Sequence, residues 1–88
     1  MPDDLLSRAF RVRDPKMAAA LSDPLRRRVV LLLAKRERSL GELALAADVE
    51  LKRLHYHVGV LQALGLVVVT GRRPRAGRPA KLYRAVAA

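Results

Sequence analysis

The 88-residue sequence contains no cysteine and no tryptophan, and aromatic residues make up only 3% of it. Without cysteine the chain cannot form a disulfide framework, a thiolate zinc site or a cysteine nucleophile. Because 51% of the residues are hydrophobic while aromatic side chains are scarce, a core must be built mainly from leucine, valine and alanine. A chain of this length has room for one small domain, which excludes a large enzyme.

Long apolar runs and a secretory leader pattern are also absent. The longest apolar run, residues 29–34, has six residues, whereas a membrane span needs roughly 20. The first four residues do not have the cationic and then apolar order of a secretory signal. We therefore expect a cytoplasmic protein that does not use a membrane as its partner.

Groups that could carry catalysis are not clustered in the sequence. The three serines, at positions 7, 22 and 39, have no histidine within the same local constellation, and no glycine-rich phosphate loop precedes a helix. The carboxylates are scattered through the first half of the chain. We expect a protein that is not an enzyme and that needs no cofactor.

Acidic residues are missing from the second part of the chain. Residues 51–88 contain eight Lys or Arg residues and no Asp or Glu, whereas all eight acids lie in residues 1–50; the formal net charge is +10. This asymmetry predicts a polyanionic partner that meets one face. A basic surface that serves only solubility is the alternative. An anionic membrane is disfavoured because no basic amphipathic helix with bulky aromatic anchors is present.

The spacing of apolar residues predicts three helices in the first 35 residues. The first ends near residue 14 and the second begins near Lys16. Asp23 can cap a third helix with Pro24 in its first turn, and this helix should end near Lys35. The apolar stripe expected to face the core consists of Leu21, Leu25, Val29, Leu32 and Leu33.

Two further helices are predicted on either side of a tight turn. Ser39 and Glu42 have the spacing of a capping box, which begins a short helix ending near Ala47. Asp48 marks the turn because Asp tolerates a positive φ angle, and a longer helix follows over residues 50–64. Its buried stripe is expected to contain Leu51, Leu54, Val58, Leu61 and Gly65, and its outward side Lys52, Arg53, Tyr56, Val60 and Ala63.

The end of the chain has the pattern of a β-hairpin. Residues 66–70 are β-branched and bounded by glycine, which indicates a strand, and residues 81–86 are the expected partner strand. About ten residues rich in Gly, Pro and Arg join the two. This pattern predicts a hairpin with a long basic tip. The helix before it should end at Gly65, in a left-handed backbone conformation.

This order of elements predicts an α+β winged helix-turn-helix domain, with a helical core of four to five helices and a two-stranded β-hairpin wing. Residues 1–15 would form an N-terminal helix and candidate dimerisation segment, and residues 16–88 the DNA-binding domain. Such domains place the first turns of their second helix in the major groove, and an Arg-rich hairpin can follow the backbone or enter the minor groove. The expected contacts are Lys52, Arg53, His55 and Tyr56 on the helix, and Arg72, Arg73, Arg75, Arg78 and Lys81 on the wing. We expect both groups on one side of the molecule as a continuous positive surface.

Five segments also carry a family resemblance. In order, they are LSDPLRRRV (21–29), LGELA (40–44), LHYHVGVL (54–61), GLV (65–67) and GRPAKLYR (77–84). Together they resemble the winged helix-turn-helix repressors of the ArsR type, over roughly residues 16–87. The resemblance implies a transcriptional repressor that binds double-stranded DNA as a symmetric homodimer, with the helix from Glu50 as its recognition helix.

The sequence departs from the metal-sensing members of that family. Their cysteine motif falls on residues 37–42, where Ser39 and Gly41 occupy the places of the thiolates. Other members use Asp and His on a C-terminal helix, which this sequence lacks up to Ala88. We therefore expect no metal. The same missing helix usually supports dimerisation, so we expect that role to fall on Leu5, Leu6, Ala9, Phe10, Met17 and Leu21.

The two histidines and a run of three arginines receive separate predictions. His55 and His57 lie on different sides of a helix, so a shared metal is disfavoured; we expect His55 to contact the DNA backbone and His57 to make a structural hydrogen bond under the wing. Residues 26–28, all arginine, should form a solvated face, with phosphate contact as the alternative. Two other functions stay open: a protein-docking module, and a protein that binds structured RNA.

Overall fold

The computed structural model describes residues 14–86. The helix predicted around Leu5, Leu6, Ala9 and Phe10 lies outside these residues. Four helices and three strands follow one another: α1 Pro15–Ala20, α2 Pro24–Lys35, β1 Arg38–Ser39, α3 Leu40–Ala47, α4 Leu51–Ala63, β2 Val67–Arg73 and β3 Ala80–Ala85. The predicted α+β winged helix-turn-helix architecture is confirmed. Within residues 14–86 no helix is long and apolar enough to cross a membrane.

The start of α2 is fixed by the residues that the sequence indicated. A side-chain oxygen of Asp23 accepts the backbone N–H groups of Leu25 at 2.8 Å and Arg26 at 3.2 Å, and Pro24 occupies the first turn, where a missing N–H costs nothing. Partial burial acts to raise the pKa of Asp23, but these N–H groups outweigh it and hold that pKa below its usual value.

The helix-turn-helix is held by a capping box and a left-handed turn, as predicted. The Ser39 N–H donates to the Glu42 carboxylate at 2.9 Å, and the Glu42 N–H donates to the Ser39 hydroxyl at 3.2 Å. Asp48 has a φ of 53°, and its N–H donates to the Leu45 carbonyl oxygen. Glu50, just before α4, makes no side-chain capping hydrogen bond. The chain therefore turns sharply from a well-capped α3 into an α4 whose first turn lacks a side-chain cap.

The sheet has three antiparallel strands rather than the two that were predicted. Its order is β1-β3-β2, with Ser39 opposite Leu82. A two-residue strand has no periodicity that a sequence could display, and only the pairing with β3 defines it. The wing strands are longer than expected, so their connection is residues 74–79, shorter than the ten residues predicted.

The core lies where α2, α3 and α4 meet the sheet, and two details of the predicted stripes are wrong. Leu51 is 50% exposed, whereas His57 is only 8% exposed. Leu51 begins α4 and extends past the packed region, and the buried face runs through Leu54, His57, Val58 and Leu61 at the i, i+3, i+4 spacing of one helix face. On α2, Val30 is fully buried, while Leu25 and Leu32 are only half-buried.

Candidate nucleic-acid interface

The first two turns of α4 present polar and cationic side chains to solvent. Lys52, Arg53, His55 and Tyr56 are all exposed, and Tyr56 exposes 63% of its surface. They project outward because the opposite face of the helix packs into the core through Leu54, Val58 and Leu61. The packing of one face thus leaves the other free for contact with a large partner.

A groove separates the start of α4 from the wing and brings one of the predicted helix residues together with three of the predicted wing residues. We call it the helix-wing groove. Leu40 from α3 and Leu51 from α4 contribute apolar surface, and the groove has a volume of about 360 Å³. His55 from α4 lines it together with the wing cations Arg75, Arg78 and Lys81. One helix and one hairpin therefore offer a joint surface that combines cationic and apolar side chains.

Arg53 lies in a different cleft, between α4 and the start of α2. Arg28 lines this cleft as well, and so do two carboxylates, Asp23 and Asp48. The cationic character of the cleft is thus partly neutralised. Lys52 and Tyr56 line neither depression and are open to solvent. The predicted contact residues therefore do not all line one groove.

Arg73, at the end of strand β2, is engaged by a carboxylate. A guanidinium nitrogen of Arg73 lies 3.0 Å from a carboxylate oxygen of Glu42 on α3. The backbone N–H of Ser39 and then this guanidinium keep the pKa of Glu42 below its usual value. Sequence reasoning missed this ion pair because 31 residues separate its members. Arg73 therefore ties the tip end of β2 to α3, although its side chain is exposed, as is that of Arg72.

The tip of the wing has its own turn. The Arg75 Nε–H donates to the carbonyl oxygen of Arg78 at 2.6 Å, and Gly77 between them has a φ of 83°, which glycine adopts at little cost. Both arginines and the neighbouring Lys81 are exposed. The turn thus presents these side chains from an ordered backbone.

The three arginines at the start of α2 do not form the uniform solvated face that was predicted. Arg26 is half-buried, and its Nε–H donates to Nδ1 of His57 at 3.0 Å. Arg27 is half-buried and donates to the backbone carbonyl oxygens of Leu21 at 2.9 Å and Ser22 at 3.0 Å. Of the three, Arg28 alone is exposed. Tertiary packing gives the first two arginines intramolecular partners.

His57 makes the structural hydrogen bond that was expected, but with α2 and not beneath the wing. Its side chain is buried against the start of α2 because α4 crosses there. Burial lowers the pKa of His57, and the nearby positive charges of Arg26 and Arg53 act in the same direction while Asp23 opposes them. The imidazole is therefore neutral at neutral pH.

The residues predicted for dimerisation fall into two groups. Met17 is half-buried and packs against the core, and Leu21 is 5% exposed and belongs to the core itself. Because intramolecular packing already occupies Leu21, we leave it out of any subunit interface. The other four predicted residues precede residue 14. Within residues 14–86, no three His, Asp or Glu side chains cluster as metal ligands.

Comparisons with known proteins place this arrangement in a family. A family model described as a helix-turn-helix domain matches residues 21–70. The structure of an ArsR-like transcriptional regulator from Rhodococcus sp. RHA1 is 32% identical, with a TM-score of 0.66; the match covers 81% of this chain and 62% of that one. The chain belongs to the ArsR-like winged helix-turn-helix family of transcriptional regulators. This family membership implies DNA binding.

Two other solved structures extend the comparison. Rv0081 from Mycobacterium tuberculosis is 32% identical, with a TM-score of 0.64, and the match covers 83% of this chain and 75% of that one. The homodimeric winged helix-turn-helix DNA-binding domain of Mb0332 from Mycobacterium bovis is 27% identical, with a TM-score of 0.66 and coverage of 80% and 60%. The chain thus spans less than two thirds of the length of the Mb0332 chain. A search of curated protein sequences gave no significant match.

Proposed function

We propose that the protein is a sequence-specific repressor that binds duplex DNA with α4 in the major groove and the wing on the backbone or in the minor groove. The observation that carries this proposal is the helix-wing groove, where His55 meets Arg75, Arg78 and Lys81. An α-helix about 10 to 12 Å across fits a major groove about 12 Å wide. The wing cations then lie beside the same helix, where the flanking phosphates pass.

Each exposed residue of α4 can be given a role in this arrangement. Arg53 and Lys52 suit phosphate oxygens or guanine acceptors, and Tyr56 suits a phosphate or a thymine methyl group. Leu51 adds an apolar contact of the kind that thymine methyl groups accept. Leu51 lines the helix-wing groove with half of its surface exposed. Burial in the core therefore does not explain why an apolar side chain stands at this position. Arg73 is assigned to the wing anchor through Glu42 and not to DNA.

We further propose that the protein acts as a homodimer, joined through residues 1–15 with Met17 at the border of the interface. Two points support this. The Mb0332 domain is described as homodimeric. In this sequence, residues 1–15 contain four apolar residues at helical spacing that could form such an interface. A symmetric dimer would present two α4 helices to two half-sites, which helix-turn-helix dimers place about one helical turn apart.

The experiment that tests this function is a selection of bound sequences from a random duplex pool, followed by titration of the selected duplex. We expect an enriched pseudo-palindrome whose half-sites are about 10 base pairs apart. Equally tight binding of a duplex RNA would favour the structured-RNA alternative, because the α-helix does not fit the deep narrow groove of RNA. A chain that shifts no duplex at moderate salt would refute the proposal and favour protein docking.

A further inference from the structure

We propose that Arg26 and His57 are a positioning pair that holds α4 in its DNA-binding orientation against α2, and that His57 does so only while its imidazole is neutral. This inference rests on the function proposed above. It concerns two residues that do not face the DNA surface and that act through the exposed residues of α4.

The geometry of the pair joins the start of α2 to the middle of α4. The backbone N–H of Arg26 is already fixed by the Asp23 side chain, which caps α2. The Arg26 side chain then reaches across to donate from Nε to Nδ1 of His57, at 3.0 Å. His57 is 8% exposed, so little water competes for this bond. A hydrogen bond that involves a charged donor in a dry contact is among the stronger ones in proteins.

The pair is connected directly to the exposed side of α4. The rings of His57 and Tyr56 meet edge-on, with centroids 5.3 Å apart and an interplanar angle of 72°. Tyr56 exposes 63% of its surface on that side. The start of α4 has no side-chain cap at Glu50, so contacts farther along the helix must set its orientation. The His57 contact lies two helical turns in and is of this kind.

The protonation state of His57 decides whether the pair exists. In this arrangement Nδ1 is the acceptor, so the neutral ring carries its proton on Nε2. A proton added to Nδ1 removes the acceptor and places a second cation against Arg26. The charged groups that act on His57 are Arg26 and Asp23 from α2 and its cap, and Arg53 from α4 itself. Two of these three are cations, which makes the protonated state still less favourable.

The sign of the pH effect follows from these contacts. Burial lowers the folded-state pKa of His57 below the ordinary value of 6.5. The unfolded chain therefore takes up the proton first as pH falls, and the folded state loses stability below about pH 6.5 until the folded-state pKa is reached.

A pair of amide variants at position 57 tests whether the hydrogen bond at Nδ1 orients α4. His57→Asn places an amide oxygen near the position of Nδ1, whereas His57→Gln extends its amide towards the position of Nε2, and neither side chain titrates. The affinity of each variant for the selected duplex and for a random duplex is measured between about pH 5.5 and 8. The temperature is one at which circular dichroism shows the variant to be folded. Arg26→Met removes the donor but keeps an unbranched stem, and Arg36→Met, at the exposed far end of α2, is its charge-matched control.

We expect His57→Gln and Arg26→Met to lose about tenfold in affinity for the selected duplex and much less for the random duplex. His57→Asn should stay close to the unmodified chain at neutral pH. Its affinity should also be less sensitive to falling pH than that of the unmodified chain, because its amide takes up no proton at this position. Arg36→Met should lower the affinity for both duplexes to the same small extent.

Nitrogen NMR of the His57 ring provides a test that needs no DNA. We expect the Nε2–H tautomer and a pKa below 6.5, with the tautomer preference lost in Arg26→Met. A ring protonated on Nδ1 at neutral pH would overturn the inference, and so would a His57→Gln variant that binds the selected duplex as the unmodified chain does. If the unmodified chain binds no duplex, the proposed function fails, and the NMR result alone shows whether the pair exists.

Discussion

The double substitution Arg75→Ala with Arg78→Ala tests the wing most directly. Both side chains are exposed at the tip of the hairpin and line the helix-wing groove beside His55. Unlike Arg73, which is paired with Glu42, they face a groove without a carboxylate among its lining residues. They are therefore wing cations that are available to phosphates. The substitution removes four guanidinium groups from the proposed homodimer.

The expected magnitude follows from counterion release. Each phosphate neutralised on duplex DNA contributes about 0.9 to the negative slope of log K against log salt, so a dimer that neutralises about 6 to 10 phosphates has a slope of roughly −5 to −9. If each of the four lost guanidinium groups contacts one phosphate, the slope becomes less steep by about 3.6. Affinity for selected and random duplexes should fall alike, because phosphate contacts carry no direct sequence information.

The assay is a fluorescence titration of a labelled duplex at several salt concentrations between about 50 and 200 mM. The matched control is Arg36→Ala with Arg84→Ala, which changes net charge equally but removes exposed cations outside the helix-wing groove. The control should change the slope by less than about one. Equal slope changes in both double variants would refute the wing assignment, since the effect would then come from net charge alone. An unchanged slope in the wing variant would refute it as well.

Three further predictions concern α4 and the N-terminal segment. Tyr56→Ala should relax discrimination at particular base pairs by about 1 to 3 kcal/mol, measured on single-site variants of the selected duplex; equal loss on random DNA would contradict base reading by this side chain. Glu50→Ser should supply the missing cap and remove a carboxylate near phosphates, which raises the free energy of unfolding by about 0.5 to 1 kcal/mol and tightens duplex binding; a denaturant titration with no gain would contradict the cap argument. A chain starting at Lys16 should sediment as a monomer, whereas a retained dimer would remove residues 1–15 from the interface.

The sequence by itself determined those features that depend on neighbouring residues. Asp23 with Pro24, Ser39 with Glu42, and the left-handed Asp48 and Gly65 act within one turn of backbone, so their positions in the chain suffice to place the helices and the turn between them. The β-branched run after Gly65 indicated the wing for the same reason. The asymmetry of charge was a property of composition and required no fold. Family membership followed from the order of these local signals.

Only the tertiary structure decided which cations are engaged and which remain available. Arg73 and Arg75 look alike in the sequence, yet one pairs with Glu42 of α3 and the other lines the helix-wing groove. Arg26 and His57 are 31 residues apart, and no local pattern joins them. Leu51 continues an apolar stripe by its spacing but lies outside the core, half exposed in the helix-wing groove. Periodicity fixes the side of a helix on which a residue lies, whereas partners and burial depend on which distant elements pack there.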